Sequence, residues 1–166
     1  MLLKTHYRQP LDFTKSGLDE AKRELDRFYG ALRGLDMPRV EGAPADAVVE
    51  PLTDDLNTPL ALSALHASLH DLNNAADADA QLVAAQFLLR SASVLGLLEQ
   101  DPEDWFRWRP ANADGLDDDA IEDLVRQRTE ARGAKDFATS DRIRDELAEA
   151  GVVLEDKSDG TIWRRS

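Results

Sequence analysis

Residues 54–72 read DDLNTPLALSALHASLHDL, and this stretch decides the fold class. Leu62, Leu65, Leu69 and Leu72 recur at three- and four-residue intervals, which lines one face of a helix with apolar side chains. Thr58 is suited to cap that helix, and Pro59 fits the first helical position, where its missing N–H costs nothing. The same grammar extends in both directions. Upstream, Thr14 is an N-cap, with Phe13 placed to staple onto Leu18. Leu18, Ala21, Leu25, Phe28, Tyr29 and Leu32 then follow at helical spacing until Gly34 stops the run. Downstream, a helix is expected over 79–95, carrying Leu82, Val83, Phe87 and Val94 and ending at Gly96. Residues 4–13 read as an irregular lead-in. Residues 35–53 hold three prolines and little periodicity, so they read as a long connector with local packing at Val48-Val49. Three amphipathic helices joined this way predict an antiparallel bundle.

The pattern changes after a Pro- and Trp-containing linker at 97–116. A helix over 117–132 would face Ile121, Leu124 and Val125 inward, and one over 136–150 would carry Phe137, Ile143 and Leu147, with Gly151 as its stop. Val152-Val153-Leu154 and Thr161-Ile162-Trp163 flank a turn containing Asp159-Gly160 and predict a β-hairpin. The expected fold class is mainly α: an antiparallel helical bundle followed by a small α+β module of two helices and a hairpin. That module is small for an independent core.

Across 166 residues, 20 Lys+Arg stand against 33 Asp+Glu, a formal net charge of −13. Acidity of this size argues against nonspecific nucleic-acid binding, which rests on neutralising phosphates. The charge is unevenly spread, however. Residues 1–40 carry 8 basic and 6 acidic side chains, residues 41–120 carry 3 and 16, and residues 121–166 carry 9 and 11. The deficit therefore sits in the middle, and both ends are nearly neutral. With no cysteine, disulfides, thiol nucleophiles and Cys-type zinc sites are excluded. No apolar run reaches the ~18 residues of a membrane span. Met1-Leu2-Leu3 meets Lys4 at once, too early for a signal peptide, so a cytoplasmic protein is expected.

Catalytic constellations are hard to find. His66 and His70 are four apart on one helix, but a third ligand is missing and Ala67 stands where a His-Glu-x-x-His site needs glutamate. They read as half-exposed helix histidines, and no metal is assigned. No glycine-rich phosphate loop and no Gly-x-Ser-x-Gly elbow occurs. The run Asp117-Asp118-Asp119 opens a helix, where the helix dipole favours negative charge. The tail is richer: Arg126, Arg128, Arg132, Lys135, Arg142 and Arg144 crowd two helices, Arg164-Arg165 close the hairpin, and Phe137 and Trp163 lie among them. Aromatic planes interleaved with cations suit unstacked RNA bases. By itself, though, the pattern favours an ordinary salt-bridged helix pair with both aromatics in the core.

Four strings occur in order: His6-Tyr7-Arg8-x-Pro10-Leu11-x-Phe13; Asp54-Asp55-Leu56-Asn57-Thr58-Pro59; Ala134-Lys135-Asp136-Phe137-Ala138 with Asp141, Ile143-Arg144-Asp145 and Leu147; and Gly151-Val152-Val153-Leu154-Glu155-Asp156 with Gly160-Thr161-x-Trp163-Arg164-Arg165. This series resembles the C-terminal part of bacterial cysteinyl-tRNA synthetases, which are class I enzymes, over nearly the whole chain. The resemblance implies a helical-bundle, DALR-type domain over 1–112, with a lead-in from a catalytic domain, and an anticodon-recognition module over 113–166. It implies tRNA specific for cysteine and the catalytic domain as partners, and a monomer with no membrane association. Anticodon contacts would fall on Arg132, Phe137, Asp141 and Asp156, with Lys135, Arg128, Trp163 and Arg164 as secondary RNA contacts. Members often carry Trp where Phe137 stands. Asn57, Thr58 and Pro59 are expected to be helix-start structure, and His6-Tyr7-Arg8 to mark the junction with the catalytic domain. The family's HIGH-type and KMSKS-type signatures and its Cys/His zinc site are absent here, so ATP and zinc are expected only in the catalytic domain and the chain alone is expected to be inactive as a ligase. The rival reading is an acidic helical module that docks a protein partner and ignores RNA.

Overall fold

The computed structural model describes residues 1–35, 42–110, 115–157 and 160–165. They divide into two compact units, Met1–Pro102 and Glu103–Ser166. A 3-10 turn (Leu2–Lys4) and helices α1 (Lys15–Leu32), α2 (Asp46–Thr53), α3 (Thr58–Asn73) and α4 (Ala78–Ser93) build the first. Helix α5 (Pro102–Arg107) leads into α6 (Asp118–Gly133), α7 (Phe137–Glu149) and strands β1 (Val152–Lys157) and β2 (Gly160–Arg165). The chain is mainly α, with one antiparallel hairpin among the described residues.

In the first unit α3 is the centre, packed against both α2 and α4. It buries Ala61, Leu65, Leu69 and Leu72 as its spacing requires, while Leu62 is only half-buried. Its cap differs from the expectation by one residue. Asn57 is the N-cap, its side chain accepting from the Leu60 N–H at 3.1 Å, and Thr58 is already helical. Thr14 caps α1 as expected, accepting from the Gly17 N–H at 3.1 Å. Phe13 and Leu18 stay 65% and 44% exposed, so the proposed staple buries neither.

Three further expectations are corrected. Part of the supposed 35–53 connector is α2: Val48 and Pro51 are buried, and the Ala45 N–H donates to the buried Ser91 hydroxyl at 3.0 Å. Eight residues interrupted by Pro51 could not hold a helix alone, so packing makes this one. Part of the 97–116 linker is likewise α5, which buries Phe106. On α4 and its C-cap, Val83, Phe87 and Val94 are 63%, 39% and 44% exposed, and the buried face is Ala85, Leu88, Ser91 and Ala92. That helix has apolar residues on most sides, and the face with small side chains goes inward.

His6, Tyr7 and Arg8 converge on one carboxylate in the turn between α2 and α3. Tyr7 Oη donates to Asp55 Oδ1 at 2.7 Å, Arg8 Nη2 lies 2.8 Å from the same oxygen, and His6 Nε2 is 3.6 Å from Oδ2. Asp55 and Leu56 both lie in the left-handed region, at φ 60° and 51°. The conformation costs about 1–2 kcal/mol per residue, so the lead-in works as a clasp on a strained turn.

The second unit closes around Ile121, Val125, Ile143, Leu147, Val152 and Trp163. Asp117 and Asp136 cap α6 and α7 by accepting from Ala120 and Thr139 N–H groups at 2.8 and 3.1 Å. The acidic run at 117–119 is thereby explained in part as capping. Gly151 follows α7 at φ 75°, as expected of a stop. The hairpin pairs Val152 with Arg165 through to Lys157 with Gly160; Asp159 of the expected turn lies outside the described residues.

Candidate nucleic-acid interface

The turn joining α6 to α7 is built by a Schellman arrangement. Lys135 N–H donates to Arg132 O at 3.1 Å and Asp136 N–H to Ala131 O at 2.8 Å, the two bonds that close a helix through a left-handed residue. That residue is usually glycine, yet here it is Lys135, at φ 61°. Gly133, the nearest glycine, is the last residue of α6 itself. Lys135→Gly is therefore expected to stabilise the second unit by about 0.5–1 kcal/mol, the strain removed exceeding the entropy that glycine adds to the unfolded chain. A thermal melt that falls instead would remove the strain argument.

The turn sets three side chains at the surface. Arg132 lies in the last turn of α6 and is about half exposed. Phe137 is the first residue of α7 and 64% exposed. Asp141 stands one helical turn later, on the same side as Phe137 by its i,i+4 spacing, with its side chain 62% exposed and an i,i+3 ion pair to Arg144 at 3.1 Å. Lys135 is exposed at the turn.

Asp156, on β1, joins this group through a dense set of bonds. Its Oδ1 accepts from Arg128 Nη1 at 2.9 Å and from the Thr161 hydroxyl at 2.7 Å. Its Oδ2 accepts from Arg128 Nη2 at 3.0 Å and Arg132 Nη1 at 2.8 Å. The Arg128 guanidinium first, then the Thr161 hydroxyl, hold its carboxyl far below the usual carboxylate range. The local reasons are plain: Arg128 and Arg132 are one turn apart on α6 and so share a face, and Asp156 pairs with Thr161 across the hairpin. Arg132 thus pairs with Asp156, not with Asp136 at i,i+4. Asp136 is occupied as a cap.

The secondary candidates separate. Trp163 is corrected: it is 1% exposed, inside the core, and cannot offer a face to a base. Its indole N–H donates to Glu122 at 3.0 Å, and the Arg107 and Arg165 guanidinium carbons lie 4.7 and 5.5 Å from a ring centroid. The interleaving of aromatic and arginine is real there, but it is a structural stack. Arg128 is 8% exposed, so it too is corrected from an RNA contact to an internal group. Arg164 pairs with Glu155 at 3.1 Å and is about a third exposed. Phe137, read also as part of the inward set of its helix, lies outside. Thr161 was missed; the hairpin register that pairs Lys157 with Gly160 places it opposite Asp156. His66 bonds Glu24, and His70 is approached by Asn74. Among the described residues no group of three His, Asp or Glu side chains could hold a metal ion, and no helix is long and apolar enough to cross a membrane.

Two family models match the chain. Residues 114–164 match the cysteinyl-tRNA ligase anticodon binding domain, and residues 47–99 match the DALR domain. The chain is 53% identical over 165 residues to a cysteine–tRNA ligase of Rhodospirillum centenum, covering 99% of this chain and 36% of that one. The ligase of Paramagnetospirillum magneticum is 48% identical over 167 residues, covering 99% and 36%. That of Parvibaculum lavamentivorans is 49% identical over 168 residues, covering 98% and 35%. The chain therefore spans little more than a third of the length of these relatives. With both domain types matched in order, the chain belongs to the cysteinyl-tRNA ligase family, as the region that carries its DALR and anticodon binding domains.

Proposed function

We propose that the module from about residue 113 onward reads the anticodon of the tRNA that accepts cysteine, and that the DALR-type region before it supports that module. The observation that carries this reading is the exposed trio at the α6–α7 turn, Arg132, Phe137 and Asp141. An unstacked base needs a plane, a donor fork and an acceptor, and these three side chains supply one of each. Lys135 adds a cation for phosphate, and Asp156 holds Arg132. In this reading the attachment of cysteine, with ATP and zinc, belongs to a catalytic domain outside the chain. The protein works as a cytoplasmic monomer in translation.

The −13 balance of residues 41–120 fits RNA contacts drawn from the near-neutral residues 1–40 and 121–166. Anisotropy titrations of the chain with a cognate anticodon stem-loop, repeated across salt concentrations, test both ideas. The cognate loop is expected to bind at least about tenfold more tightly than one with a substituted anticodon, a base mismatch costing about 1–3 kcal/mol. The logarithmic salt slope should stay shallow, at about two to four phosphates. Equal affinity for every loop would overturn anticodon reading, and binding of a protein partner alone would favour the docking module.

A further inference from the structure

We infer that Arg128, which is 8% exposed, is the positioning residue of this surface: its guanidinium fork fixes Asp156, and Asp156 fixes the guanidinium of Arg132 for presentation to a base. The inference rests on the anticodon reading above and adds a residue and a mechanism to it. Arg128 is a charged side chain with 9% side-chain exposure, and it reaches a strand residue 28 positions away. It bonds both carboxylate oxygens through separate nitrogens, at 2.9 and 3.0 Å, the two-point geometry only a planar guanidinium supplies.

A carboxylate offers about four lone-pair directions. In Asp156 the fork uses two, the Thr161 hydroxyl takes a third at 2.7 Å and Arg132 Nη1 the fourth at 2.8 Å. In the free protein Asp156 therefore has no acceptor left over for a base edge. It acts through Arg132. That arginine spends one N–H on Asp156, is about half exposed, and keeps the rest of its five donors for a ligand. A long side chain with that exposure would otherwise sample many rotamers, and one charge-assisted bond to an immobile carboxylate narrows them. The ligand chemistry implied is an unstacked base presenting acceptors on its edge, met by the Arg132 fork.

The test is a double-mutant cycle in the whole chain with the cognate anticodon stem-loop as probe. Arg128→Lys keeps the charge and loses the fork, and it is expected to weaken binding roughly tenfold. In an Arg132→Met background the same substitution should change affinity by less than about twofold, because residues that act as one unit are not additive. A full tenfold loss in that background would make Arg128 a purely structural residue and overturn the inference. Asp156→Asn gives the same comparison with little change of shape, should Arg128→Lys fold poorly. A second readout needs no RNA: exchange of the Arg132 guanidinium protons with water, followed by nitrogen-edited NMR, should be slow in the parent chain and fast in Arg128→Lys. Unchanged exchange also overturns it. If the parent chain binds no loop, anticodon reading fails, and the NMR comparison still decides whether Arg128 orders Arg132.

Discussion

Trp163→Ala is expected to unfold the second unit. The ring is 1% exposed and belongs to a six-residue core with Ile121, Val125, Ile143, Leu147 and Val152. Truncating a buried aromatic to alanine costs about 3–5 kcal/mol, and a core this small supplies only about 3–5 kcal/mol in total. The loss is compounded by removing the indole N–H bond to Glu122, which is left with its Arg107 ion pair at 3.0 Å, and the face beneath the Arg107 and Arg165 guanidinium groups. Amide spectra of the variant should lose the dispersed signals of residues 115–165. Trp163→Phe should keep the fold at a lower melting temperature, since it retains most of the apolar area and loses the hydrogen bond. An alanine variant that melts like the parent would show that this ring is not a keystone of the core.

Phe137→Ala is expected to do the reverse: leave stability within about 0.5 kcal/mol, as at most exposed positions, and cost about 1–3 kcal/mol in binding a cognate anticodon stem-loop by deleting one stacking plane. That is roughly a 5- to 150-fold weaker dissociation constant. The ring is 64% exposed on the first turn of α7, so no core contact confounds the reading. Phe137→Trp should bind at least as tightly as the parent, because an indole stacks over a larger area. Unchanged affinity in Phe137→Ala would take the ring out of the interface and leave Arg132 and Asp141 without a stacking partner for the base.

These two aromatics show why the site was only half legible. Both stand among arginines in the sequence, and the pattern by itself favours the core for both without telling one from the other. Their separation depends on which face of α7 and of β2 meets α6, a long-range matter that neither local spacing nor propensity carries. The same holds for Arg128, whose role depends on a carboxylate 28 residues away, and for α4, whose apolar residues outnumber the places inside.

What the residues determined unaided was local. Thr14, Asp117 and Asp136 cap their helices because an oxygen three positions before a free N–H can reach it in any context; Gly151 ends α7 because a left-handed residue there suits glycine; and the order of α1, α3, α4, α6, α7 and the hairpin follows from periodicity and turn residues. Tertiary packing decided the rest. It made a helix of residues 46–53, which have no strong local reason to form one; it buried Trp163 and left Phe137 outside; and it turned Arg128 and Asp156 from two surface charges into one bonded support for Arg132. Each of these outcomes is a comparison between burial and solvation, and burial exists only once distant segments have met.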